Sequence, residues 1–335
     1  PSRWLLRLDN LLERAGTPDC LAPNPDWPWL KWVEALDAAE RIQPVIPNPC
    51  PPLAARPTQL SVTQIETLIR DPYAIYARHI LKLKVLDPLD DNPGAADRGT
   101  LIHGALEEFV RTYPTALPDD AERRLIEIGR SVFAEHLARP GVRAFWWPRF
   151  VRITEWFVEW QRSRLAEGWQ VTFAEDTGKL VIDAIEGGFT ITAKPDRIDV
   201  RPELGLSIID YKTGQAPSAK QVEAMFSPQL PLEAVMAKQG AFKGVPAEAA
   251  HELMYVKLSG GRKPGEAAPL KLKADIGELI DKTMTGVNQL ITQYADPKRS
   301  YLSQPRPQYE NKFGDYDHLA RVAEWRGAGG GEDDA

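Results

Sequence analysis

Two successive apolar segments that each contain an aspartate constrain this chain more than any other feature. They lie between residues 193 and 214, contain β-branched residues, and are separated by turn-forming residues at 202–205. The pattern predicts two antiparallel strands joined by a tight turn, which would bring Asp196 beside Asp210. Because side chains alternate along a strand, Asp210 and Lys212 would point to the same face.

A close pair of carboxylates has a direct chemical consequence. The two charges repel unless a divalent cation neutralises them, and hard oxygen ligands favour Mg²⁺ or Mn²⁺. A lysine beside such a cation can orient or deprotonate a water, or stabilise negative charge on a phosphate oxygen. The pattern therefore predicts metal-assisted phosphodiester hydrolysis. An Asp-x-Lys sequence alone is more often a solvated strand edge, so the prediction depends on both aspartates together with a third element.

That third element is a predicted helix over residues 98–110. Its apolar face follows the 3.6-residue period through Gly99, His103, Leu106 and Val110,. His103 therefore points toward the interior, where a lone histidine is more often a core residue. Aimed at a carboxylate pair, the same histidine could instead be a third metal ligand through a ring nitrogen.

Together with Gln229, these elements resemble the RecB-type branch of the PD-(D/E)xK nuclease superfamily, and more narrowly the nuclease region of AddB-type helicase–nuclease subunits. The resemblance covers about residues 58–326. The flanking segments that agree with the family pattern are 60–66, 71–78 and 316–321. It implies an α/β fold with a restriction-endonuclease-like core, in which a mixed central sheet is flanked by helices, with additional N-terminal and C-terminal helices.

The resemblance also implies a role for each candidate site residue. The implied metal ligands are His103, Asp196, Asp210 and the backbone carbonyl of Tyr211, with Mg²⁺ as cofactor or Mn²⁺ in its place. The implied catalytic residues are Asp196, Asp210, Lys212 and Gln229, the last of which would orient the lysine or contact the DNA backbone. The family often has a tyrosine four residues after this glutamine, where this chain has Glu233.

Other charged residues near these motifs leave alternatives open. Glu175 could reach a second metal ion, although a surface carboxylate is favoured, and the role of Glu233 and the number of metal ions stay open. Arg197 could form a salt bridge or contact a phosphate. Asp199 is expected to face away from Asp196 because of its position along the strand.

The implied function is a metal-dependent DNA exonuclease domain that acts in double-strand break end processing within a helicase–nuclease complex. Its substrate would be a single strand unwound from duplex DNA by an AddA-like partner subunit. The chain contains no Gly-x-x-x-x-Gly-Lys-Ser/Thr loop, so it is not expected to hydrolyse ATP,. The alternatives are a catalytically silent DNA-end-binding subunit and a stand-alone Mg²⁺-dependent nuclease. Strand polarity, sequence preference and activity without the partner are not readable from the sequence.

The cysteine content bears on how the core is closed. Related nuclease domains carry a four-cysteine iron–sulfur cluster, with one cysteine at the place of Asp71 and three near the C-terminus. This chain has only Cys20 and Cys50, and none between 296 and 326, so no iron–sulfur cluster or structural zinc is expected. Packing of a helical segment at 61–82 against the region of Tyr301 and Leu302 would replace it. Two unpaired thiols in a DNA enzyme favour a cytoplasmic location.

Composition divides the chain without deciding its function. Residues 1–57, which end in a proline-rich linker, are predicted to be a remnant of a helicase-like region, 58–326 the nuclease domain, and 327–335 a disordered tail,. The net charge of −6 argues mildly against an autonomous nucleic-acid binder,. A local basic run could nevertheless be a phosphate-contacting loop or a solvated hairpin tip. It consists of Lys257, Arg262, Lys263, Lys271 and Lys273.

Overall fold

The computed structural model describes residues 2–21, 28–38, 45–86, 93–172, 177–306 and 314–327. Its Cα positions divide into two units, 1–45 with 324–335 and 46–323. In the smaller unit, helices α1 (Arg3–Arg14) and α2 (Trp29–Asp37) are described, and Ser2 caps α1 by accepting the backbone N–H of Leu5. The assignment of 1–57 to a helicase-like remnant stays a prediction, and 328–335 lie outside the described residues.

Helices surround the centre of the larger unit. They are α3 (Val62–Arg70), α4 (Pro72–Ile75), α5 (Ala95–Thr112), α6 (Ala121–Val132), α7 (Ala134–Leu137), α8 (Trp147–Ala166), α9 (Ala219–Glu223), α10 (Gln229–Lys238) and α11 (Ile276–Ala295), while α12 (Val322–Gly327) follows near the C-terminus. Single turns with wider hydrogen bonding extend α4 over Tyr76–Ile80 and precede α8 over Val142–Trp146. Ser61 and Gln64 form a capping box that starts α3,.

Two mixed sheets form the centre of this unit. The smaller sheet has the order β1-β4-β3, with β1 (Gln59–Ser61), β3 (Gly178–Ile182) and β4 (Phe189–Ala193). The larger has the order β2-β5-β6-β7-β8, with β2 (Gln170–Thr172), β5 (Arg197–Arg201), β6 (Gly205–Lys212), β7 (Ala250–Leu258) and β8 (Gly265–Pro269). β1 pairs in parallel with β4 and β6 with β7, and the other pairs are antiparallel. The predicted restriction-endonuclease-like α/β fold is confirmed.

Strand β6 is buried on both faces because each face meets a different layer of helices. Ile208 packs in the core shared with α3, α10 and α11, whereas Ile209 packs in the core shared with α5, α6 and α8. The antiparallel register begins with Arg197 opposite Ile209, and Asp196, which immediately precedes β5, lies beside the end of β6, where it accepts the backbone N–H of Tyr211. Alternation along β6 therefore directs Asp210 toward the α10 side, where it contacts Gln229, and Lys212 lies on the same face as predicted.

The C-terminal segment closes the core beside α3 and α4. Tyr301 is buried, and the N–H of Tyr73 donates to the carbonyl of Leu302 at 3.2 Å. Asp71 accepts the N–H of Gln304 through Oδ1 at 3.1 Å. The side chain of Leu302 is 36% exposed. Leu302 therefore contacts α4 through its backbone carbonyl, whereas the sequence predicts side-chain packing. Within the described residues, no helix is long and apolar enough to span a membrane.

Candidate active site

The end of β6 holds a carboxylate and an ammonium group side by side. Asp210 is 2% exposed, and its Oδ2 lies 2.5 Å from Nζ of Lys212. Lys212 is half-buried and also lies over the ring of Tyr255, with Nζ 5.8 Å from the ring centroid. The carboxylate thus fixes the position of a lysine that keeps one side toward solvent.

Helix α10 places an amide between these two groups. Nε2 of Gln229 donates to Oδ1 of Asp210 at 2.7 Å and to Oε1 of Glu233 at 3.2 Å. Its Oε1 accepts from Nζ of Lys212 at 3.5 Å. Glu233 lies one helical turn after Gln229, so both side chains point to the same face of α10. The amide therefore joins Asp210, Lys212 and Glu233 in one network.

Asp196 and His103 meet on the other side of the strand end. Oδ2 of Asp196 accepts the backbone N–H of Tyr211 at 2.9 Å and lies 3.5 Å from Nδ1 of His103. The imidazole contacts the ring of Tyr211 edge-on, with centroids 5.7 Å apart. An open cleft of about 300 Å³, here called the α5 cleft, begins at His103. Its lining also includes Gly99 and residues 211–215.

Burial makes this site unfavourable for its own negative charges. It raises the pKa of Asp210 to about 6, with the charge of Asp196 acting in the same direction and Lys212 opposing it. Burial and the nearby Asp210 carboxylate raise the pKa of Glu233 well above its ordinary value. Oε2 of Glu233 is buried without a hydrogen-bond partner among the described residues. An excess of buried carboxyl groups of this kind is relieved by a cation or by a bound proton.

The chemistry of the donor groups fits a divalent cation, but their present contacts differ from the predicted ligand set. Asp196 contacts Tyr211 through the backbone N–H, whereas the prediction used the carbonyl. Asp210 forms an ion pair with Lys212 and accepts a hydrogen bond from Gln229. Among the residues that the structure describes, no group of three His, Cys, Asp or Glu side chains converges in a metal-binding arrangement. The ligand set of His103, Asp196, Asp210 and Tyr211 stays a prediction.

Arg197 and Asp199 belong to a buried cluster that also contacts the site residue Tyr211, whose hydroxyl accepts from Nη1 of Arg197 at 3.4 Å. Arg197 donates to Asp199 at 2.6 Å and Arg164 donates to the same carboxylate at 2.9 Å. Asp199 is fully buried there, facing away from Asp196 as expected. Arg197 is therefore a structural ion-pair partner. Glu175 lies outside the described residues.

Sequence reasoning missed three residues that surround Lys212. Glu66, Arg70 and Tyr255 line a cavity of about 230 Å³ together with Lys212 and Gln229. Burial raises the pKa of Glu66 and of Tyr255. Tyr255 is opposite Asp210 in the parallel register of β6 and β7. Its position could be read only once that long-range pairing was known. One indication of this environment is present in the sequence, namely Glu233 at the position where the family often has a tyrosine.

The fold and the strand-end carboxylates define a nuclease-type hydrolase core. The profile of the PD-(D/E)XK nuclease superfamily matches residues 59–310, and the chain belongs to this superfamily. Its members are in general hydrolases that cleave phosphodiester bonds of nucleic acids.

The chain is also similar to proteins of Rickettsia that are described as uncharacterized. It is 28% identical over 277 residues to one from Rickettsia bellii (strain RML369-C), covering 78% of this chain and 32% of that protein. It is 32% identical over 190 residues to one from Rickettsia conorii (strain ATCC VR-613 / Malish 7), covering 56% of this chain and 23% of that protein. The chain thus spans about a third or less of the length of these relatives.

Proposed function

We propose that this chain is a Mg²⁺-dependent DNA exonuclease domain, similar to the nuclease region of AddB, that processes double-strand break ends within a helicase–nuclease complex. The observation that supports it most is the contact of Lys212 with Asp210 and Gln229 at a strand end where Asp196 lies alongside. Superfamily membership supports a nucleic-acid substrate. DNA as substrate also favours the cytoplasm.

Each residue of the site has a defined part in this proposal. His103, Asp196 and Asp210 would hold Mg²⁺, or Mn²⁺ in its place. When bound, the ion supplies a Lewis acid for a phosphate oxygen and lowers the pKa of water. Lys212 presents a positive charge that stabilises the negative charge of the phosphate or orients the attacking water. Gln229 holds that ammonium in place through its side-chain oxygen.

The partner subunit belongs to the same proposal. The chain lacks a phosphate-binding loop for ATP, so unwinding would come from an AddA-like helicase that delivers one strand to Lys212. A blunt duplex is therefore expected to resist the isolated chain, whereas a linear single strand is degraded and a circular one survives because it has no end.

The test is cleavage of labelled linear single-stranded DNA with Mg²⁺, with and without EDTA. Wild type and the exposed-site control Asp281→Asn should shorten the strand only with Mg²⁺, and Asp210→Asn should leave it intact. DNA binding without cleavage by the folded wild type would contradict the proposal and favour the silent end-binding alternative. Cleavage of the circle at the rate of the linear strand would replace the exonuclease assignment with an endonuclease.

A further inference from the structure

Three arginines lie on separate elements, or on the turn between two of them, that pack around one hydrophobic core. Arg98 lies in the first turn of α5, Arg149 in the first turn of α8, and Arg262 in the turn between β7 and β8. The start of α8 contacts that turn closely, because a Cβ added to Gly260 would lie 2.5 Å from the carbonyl oxygen of Arg149. Arg152 strengthens the contact by donating to the carbonyl of Gly260 at 2.7 Å.

The same arginines are connected to the catalytic end of β6. Arg98 precedes Gly99, which lines the α5 cleft and lies so close to Thr213 that an added Cβ would be 3.3 Å from its Oγ1. Burial and the positive charge of Arg149 lower the pKa of Arg98. Packed elements therefore connect the segment after Lys212 to the β7–β8 turn, because α5 contacts Thr213, α8 shares a core with α5, and α8 contacts the turn.

Among the described residues, ion pairs do not balance the charges of these three arginines. Within the part of the chain that the structure describes, Arg98, Arg149 and Arg262 form no ion pair with Asp or Glu, and Arg149 and Arg262 are exposed. Lys263 in the same turn, by contrast, pairs with Glu266 at 2.9 Å. Since the whole chain has a net charge of −6, the positive excess is local. Like charges gathered without counterions favour binding of a polyanion.

We propose that Arg98, Arg149 and Arg262, here called the arginine track, bind successive backbone phosphates of the single-stranded DNA whose scissile phosphate lies at Lys212. The inference rests on the proposed nuclease function and adds the course of the strand, from the α5 cleft to the β7–β8 turn. Guanidinium groups suit this task because they bind two phosphate oxygens at once. Contacts to the backbone alone carry no sequence preference.

Binding of fluorescein-labelled oligothymidine in EDTA, followed by anisotropy, tests the track without cleavage. The test variant is Arg98→Gln with Arg149→Gln. The matched control is Arg111→Gln with Arg162→Gln, since each lies thirteen residues further along the same helix, about 20 Å away. The test variant should bind at least about tenfold more weakly than wild type. Its plot of log binding constant against log salt concentration should be less steep by about 1.4, the value for two lost single-strand phosphate contacts. The control should match wild type.

A cleavage assay with a short substrate tests the proposed nuclease function separately from DNA binding by the arginine track. A nitrophenyl ester of thymidine phosphate is too short to reach the track, so both double variants should hydrolyse it with Mg²⁺ as wild type does. A wild type that binds the oligothymidine but cleaves neither substrate would contradict the nuclease function and leave the track supported. Equal weakening in both double variants, wild-type affinity in the test variant, or no binding by wild type would each overturn the track. Arg262→Gln, in an exposed turn, gives a single-site check if the double variant does not fold.

Discussion

The side-chain nitrogen of Gln229 lies 2.7 Å from Oδ1 of Asp210, so a helix residue and a strand residue share a partly buried hydrogen bond at the centre of the site. The same nitrogen donates to Glu233, and the amide oxygen faces Lys212. The amide orientation is therefore fixed on both sides. Gln229 acts on the reaction through the groups that it positions.

Replacement of Gln229 by alanine should lower kcat more than it raises KM. The loss of hydrogen bonds to charged groups corresponds to about 10- to 100-fold in rate, because Asp210 and Lys212 would both lose the amide that orients them. Steady-state cleavage of single-stranded DNA measures both constants. Gln239→Ala, at the exposed end of the same helix, is the control. An unchanged kcat in Gln229→Ala would show that the amide does not position the lysine.

Lys212→Ala should abolish most cleavage without unfolding the protein. Lys212 is half-buried at the end of β6, so its removal opens little space. The rate should fall by about 10²- to 10⁴-fold, as for other positioned groups that assist proton transfer. The exposed Lys238→Ala at the end of α10 should cleave normally. Wild-type rates in Lys212→Ala with Mg²⁺ would contradict the assigned role.

Mg²⁺ or Mn²⁺ should support turnover, whereas Ca²⁺ should bind and support little cleavage. Ca²⁺ is larger and accepts looser geometry, so it polarises water and phosphate less strongly. His103→Ala should raise the Mg²⁺ concentration needed for half-maximal activity more than it lowers the maximal rate. Metal titrations of cleavage measure this, and calorimetric titration with Mn²⁺ measures affinity independently. Unaltered metal dependence in His103→Ala would remove the histidine from the ligand set.

Local pattern was enough to predict a large part of this fold and site. Strand alternation and turn residues are properties of neighbouring residues, and they placed Asp196 beside the end of β6 and Lys212 beside Asp210. The helical period likewise directed His103 of α5 toward Asp196. Each of these predictions needed only a short segment and one pairing partner.

The remainder depends on contacts distant in sequence. Glu66 and Tyr255 reach Lys212 only through the packing of α3 and the parallel pairing of β6 with β7, which no local period encodes. Strand β8 was missed because Gly265–Pro269 contains no β-branched residue, and its pairing with β7 determines its conformation,. The burial of Glu233 could not be predicted, because glutamate is seldom buried.

Asp71 should make stability depend on pH. Burial raises its pKa from the ordinary 3.8 to about 6, so the folded state binds the proton more tightly than the unfolded state. The stabilisation from this group is complete below pH 3.8 and is lost as the pH rises through about 6,. Asp71→Asn keeps the oxygen that accepts from Gln304 and should therefore stabilise the protein at pH 8 by about 1–3 kcal/mol, with little effect at pH 4. Urea unfolding at both pH values measures this difference in unfolding free energy, with Asp281→Asn as control. An equal effect of Asp71→Asn at pH 8 and pH 4 would contradict the prediction.

The core should also close without iron or zinc, because Arg56 and the segment around Cys50 tie the C-terminal region to the rest of the unit. Arg56 is 8% exposed. It donates to the backbone carbonyls of Pro51, Tyr294, Asp296, Pro297 and Arg299. Sγ of Cys50 lies 2.9 Å from the carbonyl of Pro297, a contact that a serine hydroxyl can also make. These contacts join residues 50–56 directly to residues 294–299.

Purified protein is therefore expected to contain no stoichiometric iron or zinc by elemental analysis. Cys20→Ser with Cys50→Ser should melt at nearly the wild-type temperature, since neither thiol is needed as a ligand. Arg56→Met should instead lose about 3–5 kcal/mol of unfolding free energy, because it leaves several buried carbonyls without a donor. Arg162→Met, at an exposed position on α8, should cost little. Stoichiometric bound iron would contradict this prediction. So would an unfolded double cysteine variant together with a stable Arg56→Met variant, because the thiols and not the guanidinium would then hold this region together.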